Sequence, residues 1–210
     1  MKNLGAKLFK KNSKKILGGN MLLSKNPNMI LPDYWPSYYK KSKHTSVWDL
    51  SGKKYLDMMC YVGQNSLGYN NTYVDKAVMN AINCGNMTSL NSFEEIELSD
   101  ILCKIHPWAD VSKFCRSGGE ANALAIRIAR AAAKNDKVAV CGYHGWHDWY
   151  LSINLKNKNS LNQHLLPGLE PIGVPKNLKN TVFTFNYGDI NKLHNLIKKE
   201  KIGVIKMEVA

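Results

Sequence analysis

From residue 71 onward, stretches with helical spacing alternate with short, continuous apolar runs. In "TYVDKAVMNAIN", Val74, Ala77, Val78 and Ile82 share one face, which predicts a helix. Ser92 predicts the cap of a second helix, with Glu95 completing a capping box. Its apolar positions Ile96, Leu98, Ile101, Leu102 and Ile105 continue to Pro107. Next, "VSKFC" predicts a strand, "EANALAIRIARAAA" a helix rich in Ala and Leu, and "KVAVCGY" a strand. A long polar loop over 151–180 leads to a strand in "TVFTFN". A helix follows in "DINKLHNLIKKE", capped by Asp189, and then a last strand in "IGVIKMEVA". Short apolar strands alternating with helices predict an α/β fold, a mostly parallel sheet with helices on both faces.

The first seventy residues lack this alternation. Pro27, Pro32 and Pro36 exclude a long regular helix from residues 17–45, which read as an irregular, extended segment. In "SVWDLSGKKYLDMM", two alternating runs flank Ser51-Gly52, the signal of a hairpin. "YVGQNSLGYNN" reads as a Gly/Asn-rich loop. The expected organisation is an N-terminal arm and hairpin lobe over 1–70, then the first part of a larger domain over 71–210. The apolar strand that ends at Val209 has no loop or closing helix after it, so the chain is expected to be a fragment.

Composition adds few constraints. Hydrophobic residues make up 44% and charged residues 21%, ordinary values for a globular protein. No apolar run is long enough to span a membrane, and the lysine-dotted N-terminus does not read as a secretory signal. The formal charge of +13 raises the question of a nucleic-acid partner. The lysines are dispersed and mixed with Asn, and no zinc-finger spacing or RNA-binding signature accompanies them, so none is expected. The first sixteen residues read as a frayed basic helix or a partner-binding arm. Cys60, Cys84, Cys103, Cys115 and Cys141 are odd in number and widely spaced, with no C-x-x-C pair. They read as reduced core residues of a cytoplasmic protein.

Two stretches carry candidate chemistry. Ser117-Gly118-Gly119 follows a predicted strand and opens a predicted helix. Glycines admit a ligand close to the backbone, and the first N–H groups of a helix attract anions. The turn is therefore either a phosphate seat or a plain tight connection. It is neither the dinucleotide fingerprint nor the nucleotide P-loop. About twenty-five residues later, "GYHGWHD" places Tyr143 just past the carboxyl end of a strand, where a flat aromatic can stack on a flat ring. His144, His147 and Asp148 match no strong metal pattern.

Taken together, "RSGGEANALAIRIARAAAKNDKVAVCGYHGWHD" resembles the class III (subgroup II) aminotransferases, whose motifs read S-G-T/S-E-A, A-x-R-x-A-R and Y-H-G-x-x-D. "VWDLSGKKYLDMM" is similar to that family's hairpin, and "IGVIKMEV" to its strand ending in E-P-V. The likeness runs from about residue 17 to 210 and lies nearest to glutamate-1-semialdehyde 2,1-aminomutase-like proteins. It implies an incomplete pyridoxal-phosphate transferase of type I fold, acting on small amino donors and carbonyl acceptors as a homodimer. Ser117, Gly118 and Gly119 would hold the cofactor phosphate. Tyr143 would stack on the pyridine ring beside His144, and Glu208 would match the acid of the E-P motif. The irregular N-terminal segment and the loop over 60–68 would help shape the substrate pocket.

The departures from the pattern are informative. Gly119 stands where Thr or Ser is usual, Val62 where the aminomutase has Trp, and Val209 where Pro is usual. The hydroxyl absent at Gly119 would be worth about 1.5–3 kcal/mol as a hydrogen bond to a charged group. No lysine here matches the one that forms the Schiff base, which is expected beyond residue 210 with the aspartate that pairs with the pyridine nitrogen. The isolated chain should not transaminate. The competing expectation is a truncated, non-catalytic homologue that dimerises or binds a partner.

Overall fold

A computed structural model describes residues 3–161, 164 and 170–209. The chain divides into two compact units, Met1–Phe93 and Glu94–Ala210. The expected division at residues 70 and 71 thus falls within the first unit.

The first unit opens with helix α1 (Leu4–Asn12), capped by Asn3, whose side chain accepts from the Ala6 N–H. Phe9 is buried against Gly19, where an added Cβ would lie 2.5 Å from the ring. Pro27 starts the short helix α2 (Pro27–Ile30). Three strands follow as an antiparallel sheet in the order β1 (Tyr39–Lys43), β2 (Ser46–Asp49) and β3 (Lys54–Leu56). The predicted hairpin is the β2–β3 pair, with Val47 opposite Tyr55. At its turn Asp49 Oδ1 accepts from the Ser51 and Lys53 N–H groups, and Gly52 takes a left-handed φ of +85°. Strand β1 corrects the reading of residues 17–45 as irregular throughout. Its sequence YKKSK has no apolar period, and it forms because β2 offers a free edge. The unit ends with α3 (Thr72–Asn83), capped by Asn71. Its predicted apolar face is not covered within the described chain, with Val78 51% and Ile82 55% exposed.

The second unit begins with α4 (Glu94–Ile105), whose first turn carries Glu94, Glu95 and Glu97, the favoured charge for a helix start. It then has α5 (Gly118–Ala133), β4 (Val138–Cys141), α6 (Asp148–Leu151), β5 (Val182–Thr184), α7 (Ile190–Glu200) and β6 (Val204–Met207). The sheet is parallel in the order β5-β4-β6, with Val138 in register with both Val182 and Val204. Both faces are covered. On one, Val138, Val140, Val182 and Val204 pack with Ile126 of α5 and with Trp149, Tyr150 and Leu161. On the other, Ala139, Cys141 and Phe185 pack with Leu193 and Leu196 of α7. Asp189 caps α7 by accepting from the Lys192 N–H.

Three readings are corrected here. "VSKFC" is not a strand: residues 111–115 have no regular structure, and Val111 is 83% exposed. A strand needs a partner for its backbone groups, and none of the described strands lies alongside this segment. The loop over 151–180 contains short 3₁₀ turns at Ser152–Leu155 and Lys176–Leu178; residues 162, 163 and 165–169 of it lie outside the described chain. The cysteines are all free, as read, but only Cys141 is buried, while Cys84 and Cys115 are exposed.

Candidate functional site

Ser117 is the N-cap of α5, and its Oγ accepts from the Glu120 N–H at 3.3 Å. Glu120 reaches back so that its Oε2 accepts from the Arg116 N–H at 3.0 Å. This is a capping box shifted by one residue. The Ala121 N–H is taken by the Ser117 carbonyl. A helix leaves its first four N–H groups without intrahelical partners; here they are those of Ser117 to Glu120, and with the Glu120 N–H taken by Ser117 Oγ, the Gly118 and Gly119 amides remain within the helix for an external acceptor. Around Gly118 there is open space, since an added Cβ would meet nothing within 4 Å.

The second wall is the loop that leaves β4. Gly142 turns it with a φ of +94°, and Gly145 with +103°. Gly145 lies directly against the helix start, where a Cβ added to it would be 3.1 Å from Gly119 Cα. The His147 ring covers the same glycine: a Cβ on Gly119 would be 3.0 Å from His147 Nε2. Two glycines are therefore required for the loop and the helix to meet at backbone distance.

Between these glycines the side chains separate. Tyr143 is 37% exposed, and its ring meets the edge of Tyr150 at 5.9 Å between centroids and 88°. Tyr150 is buried, and its hydroxyl donates to the Gly142 carbonyl at 2.9 Å, anchoring the loop from below. The Gly142 N–H donates to His164 Nδ1 at 3.2 Å. Burial pushes the Tyr143 hydroxyl above the usual phenol range.

His144 points the other way and is 2% exposed. Its Nε2 lies 2.8 Å from the Cys141 carbonyl, which can only accept, so Nε2 carries the proton. Nδ1 is then free to accept from the Lys206 ammonium at 3.4 Å. Burial, then the Lys206 charge, hold the imidazole below its ordinary pKa. Burial also lowers the Lys206 ammonium, against the opposing pull of Glu208. Glu208 follows the end of β6 as Gly142 follows the end of β4, and these strands are neighbours. A Cβ on Gly142 would lie 3.4 Å from the Glu208 carboxyl carbon.

The residues singled out in the sequence thus line a single loop. Ser117, Gly118 and Gly119 meet it at Gly145, Tyr143 and His144 lie within it, and Glu208 flanks its root. All of this is at the carboxyl ends of parallel strands, where open α/β sheets bind ligands. Lys206 and Tyr150 were not among the candidates named from the sequence. The one available signal for Lys206 was a lysine interrupting the apolar run "IGVIKMEV". His147 and Asp148 join no group of three or more metal-binding side chains among the described residues.

Comparisons with known proteins bear on this arrangement. The family model described as Aminotransferase class-III matches residues 32–205. A 3-aminobutyryl-CoA aminotransferase of Cloacimonas acidaminovorans is 27% identical over 190 residues, 90% of this chain and 42% of that protein. A glutamate-1-semialdehyde 2,1-aminomutase of Sulfurisphaera tokodaii is 30% identical over 176 residues, 83% of this chain and 41% of that protein. The chain therefore spans about two fifths of the length of these relatives. An omega-transaminase from Sphaerobacter thermophilus has the same fold, with a TM-score of 0.78 at 21% identity over 98% of this chain and 47% of its own.

Proposed function

This chain belongs to the class III aminotransferases, and from that premise we propose that it carries the cofactor seat of an enzyme that moves amino groups with pyridoxal 5′-phosphate. The observation that carries the reading is the joining of an anion-binding helix start to an aromatic plate through Gly145 and Gly119. The residues fit the group. Two unpaired amides and the positive end of a 16-residue helix suit a phosphate. A half-exposed Tyr143, braced edge-on by Tyr150, suits a flat heteroaromatic ring.

When bound, the cofactor supplies an electron sink for charge developing at the substrate carbon. The chain's own residues orient it. Ser117 fixes the helix start, where the Gly118 and Gly119 amides would hold the phosphate. Tyr143 would stack against the ring. His144, held neutral and immobile between the Cys141 carbonyl and Lys206, fixes the backbone that carries Tyr143. Glu208 places a carboxylate at the root of the loop. The substrates are a small amino donor and a carbonyl acceptor, handled by transamination or by amino transfer within one molecule. A homodimer in the cytoplasm is the setting proposed, and the five free cysteines support a reducing compartment.

Titration with pyridoxamine 5′-phosphate, followed through Trp146 and Trp149 fluorescence, tests this. Saturable binding is expected, with much weaker binding of pyridoxamine, which lacks the phosphate. Absence of saturable binding overturns the reading and favours a non-catalytic binding module. A second measurement adds cofactor and an amino donor to the chain. No oxo product is expected, because no lysine here matches the catalytic one.

A further inference from the structure

We propose that His147 is a cofactor-phosphate ligand, supplying from the loop the third donor that Gly119 cannot supply from the helix. The proposal rests on the cofactor reading above and adds a residue to that site.

The placement is specific. His147 Nε2 is the nearest atom to the position a Cβ on Gly119 would occupy, at 3.0 Å, with Cδ2 at 3.1 Å and Ser117 Oγ at 4.0 Å. The ring edge therefore takes the space a side chain at position 119 would fill, beside the two free amides. It is held there from two directions. Gly145 brings the loop backbone onto Gly119, and the Trp146 ring lies 4.8 Å from the imidazole at a 40° tilt. Among the described residues His147 has no hydrogen-bond partner at either ring nitrogen. It is only partly exposed, so its Nε2 is an atom already positioned at the helix start and able to carry the donor proton there.

The alternative role, packing alone, is an incomplete account. His144, three residues earlier, shows what this loop does with a structural histidine: it is buried and both nitrogens are engaged. His147 has neither feature. The pairing also bears on the residue at 119. A serine or threonine there would bring its Cβ within 3.0 Å of the imidazole, which would have to shift by a few tenths of an ångström to admit it.

The test uses the full chain and compares pyridoxamine 5′-phosphate with pyridoxamine. His147→Leu fills the space without a donor, and affinity for the phosphorylated ligand should fall about 10- to 100-fold, the size of one hydrogen bond to a charged group. His147→Gln keeps a donor at its tip and should stay within about threefold of the parent. The double variant Gly119→Ser with His147→Ala restores a hydroxyl at the same place and should recover most of the loss. Pyridoxamine binding should be unchanged throughout. His147→Leu binding as tightly as the parent overturns the proposal, as does an equal loss for both ligands or for both His147→Leu and His147→Gln. Failure of the parent itself to bind would instead overturn the cofactor reading, and this proposal with it.

Discussion

Replacing Gly145 by alanine should damage both the stability of the second unit and the contact of its loop with the start of α5, whereas the same change at Gly118 should be tolerated. At Gly145 the backbone has a φ of +103°, outside the regions open to a residue with a side chain. Holding alanine there costs on the order of 1–3 kcal/mol. The new methyl would also lie 3.1 Å from Gly119 Cα, and both partners are backbone, so neither can rotate away. Overpacking of that kind adds roughly 1–3 kcal/mol. Together these reach about 2–5 kcal/mol once some relaxation is allowed, a large part of the 5–15 kcal/mol typical of a folded domain. For a chain of this size each kcal/mol shifts the melting midpoint by about 2–4 °C, so the fall is about 4–20 °C. Gly118 is helical and opens onto empty space, and alanine there should change stability by less than about 1 kcal/mol, on the favourable side. Thermal unfolding read through the tryptophans adjoining the loop, Trp146 and Trp149, measures both. Equal midpoints for the two variants, or a costly Gly118→Ala, would refute the close approach of loop and helix.

Three further outcomes follow from the same geometry. Tyr150→Phe removes the hydroxyl that donates to the Gly142 carbonyl in a buried position. It should lower stability by about 1–3 kcal/mol, measured by urea titration, with the loop loosened. His144 is pushed below its ordinary pKa by burial and by Lys206. The unfolded chain therefore takes up its proton first, and stability should be full above about pH 6.5 and fall as pH drops from there toward the folded value. Lys206→Met removes one of the lowering causes, so NMR titration should show the His144 pKa rising; an unmoved or lower value would break the assigned contact. Alkylation at neutral pH should label Cys84 and Cys115 within the native chain and spare Cys141, which is buried and whose thiol is pushed up by that burial, then by Glu208. Mass spectrometry of digested peptides reads the pattern.

How much was legible in the sequence depended on whether the determinant was local. Helices α3, α5 and α7 declare themselves through local composition and spacing, and α7 also through its cap at Asp189; the caps at Asn71 and Ser117 emerge from the structure. The buried strand β4 reads as an apolar run because both its faces are covered, and the apolar run of β6 has Val204 buried while Ile205 and Met207 are exposed. Strand β1 and the segment 111–115 failed in opposite directions for one reason. Strand identity is decided by a partner elsewhere in the chain, so polar YKKSK pairs and apolar VSKFC does not. Five of the six candidate residues were named from two short motifs, and Glu208 from a third at the end of β6. The His144–Lys206 contact joins residues 62 positions apart and was invisible to any local pattern.

That contact changes how the site is understood. A part-buried lysine is costly unless it meets a partner, and Lys206 meets one in His144, with the Glu208 charge nearby. Its ammonium is offered to His144 Nδ1, and Glu208 lies two residues further along the same chain. The arrangement converts β6 from a passive wall of the sheet into a support for the neighbouring loop. β4 ends at Cys141, whose carbonyl holds one nitrogen of His144, while β6 supplies the charge that holds the other. His144 is thus tied to both strands, while Tyr143 beside it is 37% exposed. Within one loop His144 is buried with both nitrogens engaged, and His147 lies against Gly119. Within the heptapeptide Gly142 to Asp148 two glycines take positive φ, Gly142 just before the buried His144 and Gly145 where the loop meets Gly119.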